Sequence, residues 1–352
     1  MFPRTLLAVD GNSLLHRSFH AAARTGFHTA DGRPMWAVRG LLSQLSAAVD
    51  RVCADAVVVG FDDPAASARR QRWPSYKSQR EPKPRTLEDQ LDAAVDVLRE
   101  LGVVVAVPPG LEADDVLASA AAYARTMGVR TVVATSDRDS FALIDDNTKM
   151  LRILNGGVDA SPLLDPARLF MVTGVRPEQY VDFAALRGDV SDNLPGVPGV
   201  GPKTAARLLA EFGTGRAAFD DAARSGERCR QVLGAATGRV LAAPEARRVW
   251  ELNRAVMAMV TDAPLGLDLE RGVGCLPLEE SAVRTTFARL ELHIPTALRA
   301  LTGRSGSTST AAPRPADVDA SWRPPSRRST MRHPPLPKPR RPEPAYVQET
   351  LF

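Results

Sequence analysis

The sequence predicts an α/β fold: a mainly parallel sheet flanked by helices, followed by a helical C-terminal region. Three observations carry this expectation. Short apolar runs at residues 5–10, 56–61, 103–107 and 131–135 have the length of buried strands. Between them, residues 37–52, 87–101 and 113–127 carry apolar side chains at helical spacing, and strands alternating with helices imply a sheet covered on both faces. Asp10, Asp62 and Asp137 follow three of the apolar runs, at the carboxyl ends of strands where ligands of such sheets bind.

Taken in order, the first run, Thr-Leu-Leu-Ala-Val-Asp at 5–10, is a strand that ends in a carboxylate. The alternation holds through residue 61 and then breaks. Residues 63–84 are rich in Arg and Lys, with Trp73 and Tyr76 interleaved and Pro82 and Pro84 closing the segment. It resumes through residue 135, and beyond Val175 the pattern is largely helical to about residue 301. From Gly303 onward Ser, Pro, Arg and Ala dominate, with ten prolines, so this stretch buries too little apolar surface to offset its ordering entropy and is expected to be disordered. The chain thus divides at 1–175, 176–301 and 302–352, with the basic segment at about 63–85 inserted in the first part.

With 352 residues, 44% hydrophobic and 24% charged, the chain has the makings of a soluble globular protein with a substantial core. No signal-peptide layout and no bilayer-length apolar run is seen, so no membrane association is expected. Cys53, Cys229 and Cys275 are odd in number and far apart, and the five histidines lack zinc-ligand spacing; a reducing, cytoplasmic setting fits. The net charge of +4 is uneven. Residues 303–352 hold nine Lys and Arg against four acids, leaving the body of the chain at −1. A near-neutral body with basic patches beside acidic ones suits a nucleic-acid enzyme better than the overall charge alone would indicate.

Five segments supply carboxylates: Asp10 in Val9-Asp-Gly-Asn12; Asp62 with its neighbour Asp63; Glu112, Asp114 and Asp115; Asp137 and Asp139; and Asp189 and Asp192. Any one of these alone reads most simply as a cap, a turn or a solvated face. Together they imply one acidic pocket, because three strand ends and two following segments would converge there. Like charges about 4 Å apart repel by about 1 kcal/mol even in water, and hard cations with oxygen ligands remove that cost. Carboxylates and water are the ligands that suit Mg²⁺ or Mn²⁺, and two such ions serve phosphodiester hydrolysis. No Ser-His-Asp or Cys-His pair competes for the chemistry.

These residues resemble the structure-specific 5′-nucleases, which include the flap endonucleases, and above all the 5′-3′ exonuclease domain at the front of bacterial DNA polymerase I. The likeness is carried by Ala8-Val-Asp-Gly-Asn-Ser13, Gly60-Phe-Asp62, Tyr76-Lys-Ser-Gln-Arg80, Leu111-Glu-Ala-Asp-Asp115, Thr135-Ser-Asp-Arg-Asp139 and the long block from Arg187 to Thr204. It covers residues 5 to about 300 in the family's order. The resemblance implies a PIN-like nuclease core and a metal role for Asp10, Asp62, Glu112, Asp114, Asp137, Asp139 and Asp192, with Asp115 and Asp189 as additional bacterial-type members. Asp62, directly after Phe61, fits the pattern better than Asp63.

The block Tyr76-Lys-Ser-Gln-Arg80 resembles the family's helical arch. On a helix, Lys77 and Arg80 at i, i+3 share one side and can neutralise charge developing on the scissile phosphate, and Tyr76 can stack on a displaced base. Arg69, Arg70 and Arg72 read as a substrate funnel. In the helical subdomain, Gly196-x-x-Gly199-x-Gly201 before Pro202-Lys203-Thr204 places tight turns ahead of a helix whose N-terminus can receive a phosphate. The family uses this helix–turn–helix variant to grip duplex DNA through positions matching Gly199, Gly201, Lys203 and Thr204, often with K⁺ held by loop carbonyls, here those of Val197 and Val200.

Unlike the polymerase, the chain carries no polymerase domain, so a stand-alone, monomeric nuclease is expected. Its final residues resemble the peptide by which bacterial repair proteins dock on the DNA sliding clamp, with Leu351 and Phe352 as apolar anchors and Gln348 as the hydrogen-bonding group. The expected activity is Mg²⁺- or Mn²⁺-dependent cleavage of branched, nicked or flapped DNA at 5′ ends in replication and repair. The alternative is a non-catalytic or weakly active branched-DNA-binding accessory recruited by the clamp. The metal chemistry follows from the residues, whereas the 5′ polarity rests on the resemblance.

Overall fold

The computed structural model describes residues 3–23 and 26–303. The Pro/Arg-rich tail and the clamp-like peptide with Gln348, Leu351 and Phe352 lie outside the described residues.

A six-stranded sheet forms the centre: β1 (Thr5–Asp10), β2 (Ala56–Gly60), β3 (Val104–Ala106), β4 (Arg130–Thr135), β5 (Thr148–Arg152) and β6 (Leu163–Leu164), in the order β3-β2-β1-β4-β5-β6. The first five are parallel and β6 runs antiparallel to β5. Every residue of β1 and β2 is buried, which is why these strands read as continuous apolar runs rather than alternating ones.

Helices cover both faces. Five belong to the first half of the chain: α1 (Gly11–Ala22), α2 (Trp36–Val52), α3 (Ala68–Arg72), α4 (Arg85–Glu100) and α5 (Ala113–Thr126). Leu7 and Val9 of β1 face the core under α1, α2 and α4, while the alternate residues Leu6 and Ala8 face α5. Close approach is built into the sequence. A Cβ on Gly11 would sit 2.4 Å from the Phe61 ring, and one on Gly60 would sit 2.7 Å from the Cβ of Val116. Both glycines let helix starts press against the strand ends that carry Asp10 and Asp62.

The second half supplies α6 (Pro166–Thr173), α7 (Tyr180–Arg187), α8 (Pro202–Phe212), α9 (Gly215–Ala223), α10 (Glu227–Leu233), α11 (Ala235–Ala242), α12 (Pro244–Met257), α13 (Glu280–Arg289) and α14 (Pro295–Thr302), with a hairpin of Gly188–Asp189 and Leu194–Pro195 after α7. Helices α7 to α12 surround Tyr180, Phe219 and Trp250. That core also takes in Phe141, Met150 and Leu164 from the first part of the chain.

Three expectations need correction. The helical subdomain does not run on to residue 301. The chain returns to the sheet, where the Val57 N–H donates to the Gly274 carbonyl (2.8 Å), and Val283, Phe287 and Ala297 of the last two helices pack into the core under α2 and α4. Helical spacing reports that a face is buried, not what it is buried against. The basic segment is not a helix over Tyr76–Arg80 either; after α3 the chain runs in turns, with Lys77 at φ 54°. Pro74 explains the break, because a residue before proline is pushed out of the helical region and Trp73 is extended at φ −130°, ψ 85°. Finally, the apolar pattern does not predict α1, β5 or β6.

Because the C-terminal helices complete the sheet's own core, Phe287→Ala is expected to cost about 3–5 kcal/mol. Denaturant unfolding should remain a single transition shifted to lower midpoint. A sheet that unfolds at the wild-type midpoint would show the helices to be an independent unit.

Candidate active site

The carboxyl edge of the sheet gathers the acids. Asp10 ends β1 and caps α1, its Oδ1 accepting from the Ser13 N–H at 2.8 Å and its Oδ2 from the Thr135 hydroxyl of β4 at 2.7 Å. The Ser13 and Ser136 hydroxyls meet at 2.6 Å and tie α1 to the end of β4. Asp62 follows β2, and its Oδ1 accepts from the Ala113 N–H at the start of α5 (2.9 Å), as suits a carboxylate at a helix N-terminus. Asp63 turns away and accepts from the N–H groups of Ala65 and Gly110, which makes it a loop residue.

At the head of α5 the acids divide by role. Glu112 Oε2 accepts from Lys77 Nζ (2.8 Å), Tyr76 OH (3.0 Å) and Arg69 Nη1 (3.3 Å). Burial works to raise the Glu112 carboxyl, but Lys77 and Arg69 prevail and hold it below the usual carboxylate range. Among the described residues Asp114 carries only a 3.2 Å bond from the Ser140 hydroxyl. Asp115 is fully committed: Oδ1 accepts from Arg69 Nη2 and the Val260 N–H, and Oδ2 from Arg69 Nη1 and the Glu112 N–H, all between 2.6 and 3.0 Å. It has no lone pair left for an ion. Its expected metal role is therefore corrected to that of a strut.

Arg69 is corrected with it. All five of its N–H groups are used, on Glu112, Asp115 and the carbonyls of Val256 and Ala258, so it cannot serve a substrate funnel. Tyr76 is likewise no stacking platform; it is 5% exposed with its hydroxyl on Glu112.

The remaining acids face these groups from the other side. Asp137 is exposed at the end of β4, and its Oδ1 accepts from the Asp139 N–H (3.0 Å). Asp189 holds the Ser191 N–H and hydroxyl through Oδ1, and Asp192 pairs with Arg80 at 2.6 Å. The turn after α3 is stapled to this hairpin: the Lys77 N–H donates to the Asp192 carbonyl, and Asn193, at φ 57°, donates to the Ser75 carbonyl and the Ser78 hydroxyl. Lys77 thus reaches the acids through a left-handed backbone held from both sides rather than from a helix. Such strain survives only where surrounding contacts over-determine it.

The electrostatics mark three acids as under-neutralised. Burial, then Asp62 and Asp137, push Asp10 up to about 7 against its two hydrogen bonds. Burial, then Asp137, Asp189 and Asp192, push Asp139 to about 7, and Asp114 is raised by burial, Asp137 and Asp10. The Oδ1 of Asp139 is buried with no partner among the described residues. All of these are hard oxygen donors without enough positive charge, the chemistry a divalent cation such as Mg²⁺ fits. Among the described residues, however, no three acidic, His or Cys side chains are arranged to hold an ion as they stand. Lys77 on Glu112 and Arg80 on Asp192 occupy two of the acids, so loading would require these pairs to loosen.

The second predicted element lies between α7 and α8. Gly199 has φ +74°, and Gly201 caps α8 without a side chain. Gly201, Pro202 and Lys203 are exposed, leaving a bare helix N-terminus beside a lysine. Val197 and Val200 have buried side chains, and the Val197 carbonyl accepts the Val200 N–H (2.9 Å). Ahead of it, a Cβ on Gly188 (φ +74°) would lie 2.2 Å from the Gly196 backbone nitrogen, so only glycine closes this hairpin. The sequence pattern does not single out the positioning groups Asn12, whose Oδ1 accepts the Asp62 N–H at 2.9 Å, Ser13, Thr135, Ser136, Ser140 and Asn193. Their only sequence signal was adjacency to an acid.

The two classes of acid separate in a stability measurement made in EDTA at pH 8. Asp115→Asn is expected to lower stability by about 3–5 kcal/mol, because it strands the buried Arg69. Asp139→Asn should leave stability unchanged or raise it, because it removes repulsion. Equal losses in both variants would contradict the division.

The model of a family described as 5′-3′ exonuclease, N-terminal resolvase-like domain, matches residues 5–171, and that of 5′-3′ exonuclease, C-terminal SAM fold, matches residues 175–279. DNA polymerase I of Mycobacterium tuberculosis is 40% identical over 217 residues, covering 62% of this chain and 24% of the polymerase. That of Deinococcus radiodurans is 34% identical over 291 residues, covering 83% and 29%. The chain therefore spans less than a third of these relatives. The fold is similar to that of T5 5′-exonuclease with zinc bound (TM-score 0.59, 20% identity, 82% of this chain and 99% of that one). It is also similar to human GEN1 in complex with Holliday junction DNA (TM-score 0.54, 16% identity, 85% and 71%). With both family models in order along one chain and the acid-lined sheet edge inside the first, this protein belongs to the 5′-3′ exonuclease family.

Proposed function

We propose that the chain is a Mg²⁺- or Mn²⁺-dependent 5′-3′ exonuclease and flap endonuclease that hydrolyses DNA phosphodiesters at 5′ ends, nicks and flaps. The observation that carries this reading is the trio Asp10, Asp114 and Asp139: one buried and two half-buried acids short of positive charge, one with an oxygen unpartnered among the described residues, at the carboxyl edge of a parallel sheet. Asp10, Asp62, Glu112, Asp114, Asp137, Asp139, Asp189 and Asp192 are the residues we assign to holding the metal. When bound, two divalent ions would activate water and stabilise the leaving oxygen. T5 flap endonuclease in a pseudo-enzyme-product complex with DNA and metal ions shares the fold, which supports this choice of cofactor class.

The chain's own residues do the rest. Lys77 and Arg80, paired here with Glu112 and Asp192, would offset charge developing on the scissile phosphate. Thr135 and Ser13 hold Asp10 in one orientation, and Arg69 through Asp115 holds the head of α5. The bare N-terminus of α8, with Gly199, Gly201, Lys203 and Thr204, grips a duplex phosphate some distance from the cut. K⁺ on the Val197 and Val200 carbonyls would add to that grip. We also propose that the protein acts as a cytoplasmic monomer and that Gln348, Leu351 and Phe352 dock on the sliding clamp. Among the described residues no helix is long and apolar enough to cross a membrane.

Asp137→Ala is expected to abolish cleavage of a labelled 5′-flap substrate with Mg²⁺ while flap binding survives; retained turnover would sink the metal assignment. Lys77→Ala should slow single-turnover cleavage by about a hundredfold or more with little change in affinity. An unchanged rate would reduce Lys77 to a counter-ion for Glu112.

A further inference from the structure

Most cations around the acidic cluster are already committed: Arg69 to Asp115 and Glu112, Lys77 to Glu112, Arg80 to Asp192. Two at the same sheet edge are not. Arg138 follows the end of β4, and Arg152 is the last residue of β5. Neither guanidinium has a hydrogen bond or an ion pair among the described residues, and the Nε of Arg152 is buried without a partner. Strand register places Arg152 directly beside Thr135, the residue whose hydroxyl holds Asp10.

One aromatic pair lies under the Arg152 guanidinium and anchors the backbone of Arg138. The Arg152 guanidinium lies 5.4 Å from the centre of the Phe141 ring, Phe141 meets Tyr180 edge-on at 5.4 Å, and the Tyr180 hydroxyl donates to the Arg138 carbonyl at 2.9 Å. The arrangement is costly as it stands. Burial and the neighbouring charge of Arg138 both work against the Arg152 cation, lowering its pKa from the ordinary arginine value, and exposed Asp137 is the carboxylate that partly offsets them. Two like charges near enough to repel, one with a buried donor unsatisfied, suit a phosphate, whose oxygens accept from two guanidinium forks at once.

We propose that Arg138 and Arg152 form a phosphodiester-binding subsite on the β5 side of the acidic cluster, receiving a backbone phosphate of the DNA strand next to the cut. The subsite rests on the nuclease reading above. It differs in kind from the Lys77–Arg80 pair, whose charges are held by acids, and from the N-terminus of α8, whose donors are mostly backbone. Its charges are already free, so it engages DNA before any ion loads.

The test is fluorescence anisotropy of a labelled 5′-flap DNA with the full chain in EDTA, across a range of NaCl concentrations. Arg138→Gln and Arg152→Gln should each weaken binding several-fold and reduce the slope of log K against log salt by about one. Arg152→Lys should keep most of the slope. Arg138 is exposed, so its variant tests the subsite even where loss of the Phe141 contact unfolds Arg152→Gln. Variants that match wild-type slope and affinity would overturn the subsite and leave the nuclease reading standing. Inorganic phosphate bound by wild type and lost in the variants, with DNA affinity unchanged, would also overturn it. A wild-type chain that does not bind flap DNA would fell the nuclease reading and the subsite together.

Discussion

Mutual repulsion among carboxylates at one end of a parallel sheet is the constraint to which the rest of the molecule answers. Asp10 is buried and Asp114 and Asp139 are half-buried, close enough to other acids that their charged forms are disfavoured. Holding them there takes an unusual amount of support. The Thr135 hydroxyl and the Ser13 N–H pin Asp10, the α5 N-terminus receives Asp62, and Arg69 locks Asp115 to the backbone at Val260. Gly11, Gly60 and Gly188 matter for the same reason: each removes a side chain where a Cβ would force apart the elements that bring acids together.

The distribution of positive charge follows from this. Lys77 and Arg80 are drawn onto the acids from a turn stapled to the Gly188–Pro195 hairpin, and they leave the phosphate-facing role only in reserve. Arg138 and Arg152 lie on the opposite terms, close to the acids yet free of them. A nucleic-acid enzyme with an acidic centre needs both kinds. Paired cations keep the centre stable between turnovers, and unpaired ones offset the repulsion a polyanion meets on approach.

Much of this was legible in the sequence because it is local. The strand runs at 5–10 and 56–61 are apolar on both faces since both faces are covered, and each acid follows its strand directly. What the sequence concealed is long-range. Asp115 and Asp114 are neighbours in one motif, yet Asp115 is consumed by Arg69, 46 residues away, while Asp114 is left nearly bare. Likewise the i, i+3 spacing of Lys77 and Arg80 suggested a helix, but Pro74 and contacts from Asp192 and Asn193 imposed turns. The packing of α13 and α14 back under the sheet was invisible for the same reason: helical periodicity names a buried face without naming its partner.

The central claim, that the under-neutralised acids rather than the fully bonded ones hold divalent ions, is tested most directly by anomalous diffraction from a crystal soaked in Mn²⁺. Peaks are expected in the cleft between the ends of β1 and β4 and the Gly188–Pro195 hairpin, within bonding distance of Asp10, Asp114, Asp137 or Asp139, with Asp115 still on Arg69. Peaks seated on Asp115 instead, or none in that cleft under conditions that support cleavage, would contradict it.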